Sequence, residues 1–188
     1  MEKTEFQTAV FGGSFDPPHC VHVMAVGYAL SCTPCQDAWV VPCYSHAFGK
    51  EMASFEARMD MCRAAFSIFG KRVRVLDVES RLPAPSYTVQ TLRHLVDLHP
   101  GRTFRLVIGS DVLPETSEWK EWDEVRRIAP PIIMQRVGAP PAAQALTPLF
   151  PDVSSSDIRE RLIRHRPVDD LVPIGVLRVI HERRLYGT

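Results

Sequence analysis

The stretch Val10-Phe11-Gly12-Gly13-Ser14-Phe15-Asp16-Pro17-Pro18-His19-Cys20-Val21-His22 decides the fold. It follows directly on Thr8-Ala9 to make an apolar run of strand length, and beyond it Val21, Met24, Ala25 and Tyr28 recur at helical spacing. A strand thus passes through a glycine- and proline-rich turn into a helix. The turn is neither the G-x-x-x-x-G-K-[ST] of a P-loop nor the G-x-G-x-x-G of a dinucleotide site. Adjacent glycines let backbone N–H groups approach a phosphate, Pro17 and Pro18 stiffen the chain, and His19 and His22 fall near a helix start, where the dipole favours anions. The same residues also suit a plain turn followed by surface histidines, or a metal pair with Asp16 as the one nearby third ligand.

Further apolar runs of strand length occur at residues 38–41, 73–76, 104–108 and 131–134. Between them Phe55, Met59, Cys62 and Phe66, then Val89, Leu92, Leu95 and Val96, keep helical spacing, with Ser54 and Ser86 standing as N-caps. This alternation predicts an α/β protein: a Rossmann-like open parallel sheet of five or six strands, helices on both faces and a short C-terminal helical segment. Residues 137–152 contain Pro140, Pro141, Pro148 and Pro151 and little periodicity, so an irregular connection is expected there. Helical segments follow at residues 156–164 and 174–183, and residues 1–188 read as one domain.

Of the 188 residues, 45% are hydrophobic, and 22 Lys and Arg balance 22 Asp and Glu. Zero formal charge leaves no global field for nucleic acid or an anionic membrane, so neither is expected as a partner. A polyanionic ligand has to be met by a local cluster. No apolar run approaches the ~20 residues of a membrane helix, no leader pattern opens the chain, and five cysteines suit reduced thiols; a cytoplasmic protein is expected. Cys32-Thr33-Pro34-Cys35 has the C-x-P-C shape of a redox site but closes a helical stretch instead of opening one.

The opening stretch resembles the GGxFDPxHxGH signature of the nicotinate-nucleotide adenylyltransferases, within the nucleotidyltransferase superfamily. Further matches follow in order: Ser86-Tyr87-Thr88-Val89-Gln90-Thr91-Leu92 is similar to that family's SYTxxTL, and Gly109-Ser110-Asp111 to its GxD. Trp119 stands where its ring-stacking tryptophan would, Val153-Ser154-Ser155-Ser156-Asp157-Ile158-Arg159 is similar to ISSTxIR, and the tail through Leu185-Tyr186 is similar to its C-terminal helix. The resemblance covers essentially the whole chain. It implies transfer of AMP from ATP to nicotinate mononucleotide, giving nicotinate adenine dinucleotide and pyrophosphate, with Mg²⁺ carried on ATP.

By the same resemblance Gly12, Gly13, Ser14 and Phe15 lie along ATP, and His19, His22 and Arg159 stabilise the transition state. Ser154, Ser155 and Ser156 join Arg159 in a second phosphate site, and Gly109 and Asp111 contact ribose. Ser86, Tyr87, Thr88, Trp119 and Arg136 meet the pyridine nucleotide, with His46 and Lys50 as weaker matches to a basic loop and Arg58 as a substitute for them or a surface charge. A helix N-terminus at Ser86 to Thr88 favours a carboxylate over an amide. Bland roles stand beside these: a serine cap at Ser154 to Ser156, an N-cap at Asp111, core packing for Trp119. Val21 departs from the pattern by replacing the glycine of HxGH. The rival readings are another transferase of the same fold and, from a different class, a nucleotide-binding domain without catalysis that senses redox state through Cys32 and Cys35.

Overall fold

The computed structural model describes residues 6–45, 51–142 and 145–188. Its six strands form one wholly parallel sheet: β1 (Phe6–Gly13), β2 (Asp37–Pro42), β3 (Val73–Val75), β4 (Arg102–Gly109), β5 (Pro131–Arg136) and β6 (Ala145–Phe150). The order β3-β2-β1-β4-β5-β6 reverses between β1 and β4. Ligands of open α/β sheets bind beyond the carboxyl ends of the strands at such a reversal. Gly12 and Gly13 therefore end one strand, and Gly109 its neighbour, at the place topology selects.

Side-chain alternation along the strands divides the core in two. Ala9, Val40 and Val107 point to a cluster with α1 (Cys20–Cys32), α2 (Phe55–Phe66), α5 (Ser155–Ile163) and α6 (Ile174–Glu182). Val10, Trp39, Leu106 and Ile108 point the other way, to α3 (Thr88–Leu98) and α4 (Trp122–Ile128). Helices cover both faces, as the alternating sequence requires. Ser54 caps α2, its Oγ accepting from the Ala57 N–H at 3.2 Å.

Two expectations need correction. A sixth strand occupies part of the supposed irregular connection of residues 137–152, because β6 is an edge strand paired only with β5, where a proline such as Pro148 costs no ladder partner. Its pairing also shifts register between Met134 and Arg136, which breaks the periodicity a sequence shows. Ser86 does not cap α3, whose cap position is Tyr87. The Ser86 Oγ–H instead donates to Glu79 Oε2 at 2.6 Å, a buried carboxylate being the stronger acceptor.

Candidate active site

At the sheet reversal lies a cavity of about 840 Å³, within the size range of cofactor and ligand sites. Its walls bring together Gly12, Gly13, Ser14 and His22 from the first turn, Ser86, Tyr87 and Thr88 from the start of α3, Gly109 and Asp111 after β4, and Trp119 and Arg136. Residues separated by more than a hundred positions in sequence thus share one surface. A Cβ added at Gly12 would meet only the Val41 carbonyl, at 4.0 Å, so the chain's own packing does not demand glycine there. The missing side chain leaves the backbone open to the cavity.

Gly109 makes room for a neighbouring side chain. A Cβ there would stand 2.1 Å from Asp111 Oδ1 and 3.2 Å from Arg136 Cδ, so only glycine lets the Asp111 carboxylate lie back over the strand end. Asp111 does not cap the following 3₁₀ turn, Leu113–Glu118, whose cap position is Val112. Its carboxylate faces Arg136 instead, with Oδ2 3.4 Å from Nη1. Arg136 Nη2 donates to the Val153 carbonyl at 2.9 Å, tying the end of β5 to the approach to α5.

The two histidines form a stacked pair, ring centroids 3.7 Å apart at 30°. The His19 backbone N–H donates to His22 Nδ1 at 3.1 Å. An accepting Nδ1 leaves the proton of a neutral imidazole on Nε2, which makes that atom a donor. Burial, then the neighbouring His19 ring and the Arg136 cation, hold His22 well below the usual histidine range. Burial and then Arg136 push His19 down to about 4. Both rings are therefore neutral at neutral pH, and of the two only His22 is in the cavity wall, where its Nε2 proton can be donated.

His19 is 2% exposed, and its Nδ1 has no hydrogen-bond partner among the described residues. The unfolded chain protonates this histidine near pH 6.5 and the folded chain near 4, so stability is complete above 6.5 and is lost as pH falls toward 4. The loss over that window is on the order of 3 kcal/mol. Urea midpoints measured from pH 7 to 4.5 should show it, and His19→Gln should flatten the slope; an unchanged slope would mean that other groups set the acid limit.

Not every expected residue lines the cavity. Phe15 is buried beneath it, in edge contact with the rings of Phe11, His22 and Phe66, and so supports His22 from behind. Ser154, Ser155, Ser156 and Arg159 sit at the start of α5 and clasp the first turn from the side. Ser154 Oγ accepts the Asp157 N–H at 3.1 Å as an N-cap, Ser155 Oγ donates to the Pro17 carbonyl at 2.9 Å, and Arg159 Nη1 donates to the Asp16 carbonyl at 2.6 Å. At α1 the first N–H, from Cys20, is already given to the Leu171 carbonyl. Val21, in place of the motif glycine, is buried yet reaches the cavity wall. His46 and Lys50 lie outside the described residues.

Arg58 takes neither role expected of it. It is 1% exposed, and its guanidinium donates to the carbonyls of Ala53 (3.0 Å), Ser14 (2.9 Å), Cys43 (2.7 Å) and Tyr44 (3.5 Å). It binds the first turn to the end of β2. Burial on the apolar stripe of α2 gave no sequence signal beyond helical spacing. Asp16 is not a metal ligand in this arrangement: Oδ1 accepts from the Ala53 N–H at 3.1 Å and from the Tyr186 hydroxyl at 2.6 Å.

Among the lining residues that escaped the sequence reading are Glu79, Lys120 and Cys43. Glu79, in the 3₁₀ turn Val78–Arg81, accepts from the Tyr44 N–H (3.1 Å), Ser86 Oγ (2.6 Å) and Thr91 Oγ1 (3.1 Å), and so fixes the start of α3. Burial pushes its carboxyl up, while these donors pull it down. Lys120 places its ammonium 4.8 Å from the centre of the Tyr87 ring, and Cys43 lines the wall nearby. Not all N–H groups of α3 are free, since Gln90 Oε1 accepts that of Tyr87 at 3.1 Å. Thr88 is left as the lining residue at the positive end of the helix dipole.

Among the described residues no three His, Cys, Asp or Glu side chains gather as a metal set. The C-x-P-C pair sits at the C-terminal end of α1, where burial pushes the Cys35 thiol up, away from the thiolate a redox site needs. No helix among the described residues is long and apolar enough to cross a membrane.

A parallel sheet with order 3-2-1-4-5-6, a glycine-lined first turn and a neutral histidine donor at the reversal define a nucleotide-binding α/β protein of the nucleotidyltransferase type. Residues 10–161 match the Cytidylyltransferase-like family. The chain belongs to that family and, within it, with the nicotinate-nucleotide adenylyltransferases, to judge from relatives that match it almost end to end. One from Anaeromyxobacter dehalogenans (strain 2CP-C), named "Probable nicotinate-nucleotide adenylyltransferase", is 43% identical, covering 96% of each chain. Another of that name, from Myxococcus xanthus (strain DK1622), is 35% identical and covers 96% of this chain and 95% of its own. In fold the protein is similar to Plasmodium falciparum nicotinic acid mononucleotide adenylyltransferase complexed with NaAD, with a TM-score of 0.80 at 22% identity, over 96% of this chain and 97% of that one.

Proposed function

We propose that this protein transfers AMP from ATP to nicotinate mononucleotide, releasing pyrophosphate and forming nicotinate adenine dinucleotide on the route to NAD. The observation that carries the reading is the cavity that joins the first turn, with the neutral His22 in its wall, to the start of α3 and Trp119. An acceptor phosphate, with a second pKa near 6, is already ionised at neutral pH and needs no general base. Its oxygen attacks the α-phosphorus of ATP, the bond from that phosphorus to the bridging oxygen breaks, and pyrophosphate leaves with the charge. The work left to the protein is positioning and donation to the charge on the transferred group.

His22 Nε2 donates to that group from one side. Arg136 and Arg159 supply cations around it, Gly12, Gly13 and Ser14 offer backbone along the nucleotide, and the serines opening α5 complete the phosphate site. Asp111, freed to lie over Gly109, accepts from ribose hydroxyls. Mg²⁺, bound through triphosphate oxygens, would offset the charge of the leaving pyrophosphate. At the other end the Thr88 N–H and the dipole of α3 favour a carboxylate, and the Trp119 face stacks on the electron-poor pyridinium. One nucleotidyltransferase domain over residues 1–188 is the reading that the single sheet supports, and five free cysteines suit the cytoplasm.

Pyrophosphate release from ATP, measured in parallel with nicotinate mononucleotide, nicotinamide mononucleotide and phosphopantetheine, tests the proposal. Turnover should be confined largely to the first. Equal rates on the two pyridine nucleotides would remove the carboxylate argument, and binding without turnover would favour a nucleotide sensor. Trp119→Ala should raise KM for the pyridine nucleotide about tenfold with a smaller change in kcat, as expected for loss of uniform binding. An unchanged KM would take Trp119 out of the site and leave it packing on Trp122, whose ring centre lies 5.4 Å away.

A further inference from the structure

The last residues of the chain reach the underside of the first turn. The Tyr186 hydroxyl donates to Asp16 Oδ1, and Asp16 Oδ2 lies 3.5 Å from Arg159 Nη1, which also donates to the Asp16 carbonyl. Arg159 Nη2 is steadied by Ser156 Oγ at 3.2 Å. One carboxylate, 1% exposed, therefore joins three distant segments: the turn before α1, the first turns of α5 and the C-terminus. A buried carboxylate needs every partner it has, so removal of any one loosens the others.

The backbone at both ends of this contact is held in a costly conformation. Phe15, beside Asp16, has φ 48°, and Arg184 and Tyr186 have φ 49° and 56°, all in the left-handed region that residues with a Cβ avoid. Such conformations persist where the surroundings over-determine them, and they concentrate where geometry has a task. Leu185 and Tyr186 both pack on the core as well. The same two bends, at Arg184 and Tyr186, bring the Tyr186 hydroxyl to the Asp16 carboxylate.

We propose that Asp16 and Tyr186 are positioning residues that aim the Arg159 guanidinium at the phosphoryl group in transfer, so that the C-terminal tail serves catalysis without touching substrate. The proposal rests on the reading of Arg159 as a phosphate ligand given above. Its Nη1 is committed to Asp16 through both the carbonyl and the carboxylate, which fixes the plane of the fork and leaves its remaining donors for an anion. Without the Tyr186 hydroxyl the carboxylate keeps only the Ala53 N–H on Oδ1, and the fork that faces Oδ2 is held less firmly. A misplacement on the scale of an ångström costs rate more than affinity.

A double-mutant cycle on Tyr186→Phe and Arg159→Ala, measured well below the unfolding midpoint of every variant, tests this. Y186F should lower kcat about tenfold, with KM for nicotinate mononucleotide changed less than about twofold. In the R159A background it should cost nothing further. An equal loss in both backgrounds, or no loss in the wild type, would overturn the proposal and leave Tyr186 a packing residue. Full activity of R159A would instead remove Arg159 from the phosphate site and the proposal with it, an outcome distinct from the first two. Should Y186F prove unstable, Asp16→Asn, which keeps an acceptor for the hydroxyl but drops the charge facing Arg159, should show the same dependence on Arg159; an equal loss without it would again overturn the assignment.

Discussion

His22→Ala should lower kcat by a factor on the order of 10² to 10³, the loss seen when one preorganised donor to a developing charge is removed. Three observations set that expectation. His22 lines the cavity, its Nδ1 is occupied by the His19 N–H, and burial, with the Arg136 cation nearby, keeps it uncharged, so the Nε2 proton stays where it can donate. A preoriented neutral donor in a partly dry site needs no reorganisation as the reaction proceeds. KM for ATP should change far less than kcat, because the interaction strengthens only as charge builds on the transferred group. Single-turnover measurement of pyrophosphate release separates this from a change in product release; a loss confined to KM would make His22 a binding residue only.

Arg58→Ala should be the most destabilising single substitution near the site, by about 4 kcal/mol, lowering the unfolding midpoint on the order of 10 °C. The guanidinium satisfies four backbone carbonyls, and its removal leaves them facing a hole. The Ala53 peptide is gripped at both ends, its carbonyl by Arg58 and its N–H by Asp16. The Ser14-to-Asp16 turn would therefore lose shape as well as stability. Arg58→Lys should recover little, since one ammonium cannot span the set. Calorimetry of both variants checks this, and a midpoint within about 3 °C of the wild type would show that water replaces the guanidinium at little cost.

How far the sequence shows this depends on the range of each signal. Strand, turn and helix around Gly12 and Gly13 are local, with period and turn chemistry in one window, and five of the six strands are legible for the same reason. β6 is not, because Pro148 and a shifted register on an edge strand erase the alternation that marks its neighbours. The same division runs through the site. Gly12, His22, Thr88 and Trp119 sit in recognisable short motifs, whereas Glu79, Arg58 and Tyr186 are single residues whose meaning is a partner 7 to 170 positions away. Ser86 illustrates the limit from the other side: it has the chemistry of a cap, and only the fold reveals a better acceptor in Glu79.

The sheet reversal between β1 and β4 has one more consequence. It gives the nucleotide and its acceptor different halves of the sheet and a shared seam between them. On the proposed reading, two substrates that enter as separate and weakly held molecules leave as one ligand that grips both halves. Joining them converts two binding events into one with a high effective concentration, so the dinucleotide dissociates more slowly than either mononucleotide. Letting go of the product is then a slower event than the loss of either mononucleotide, and the seam that joins the substrates is also what holds their product.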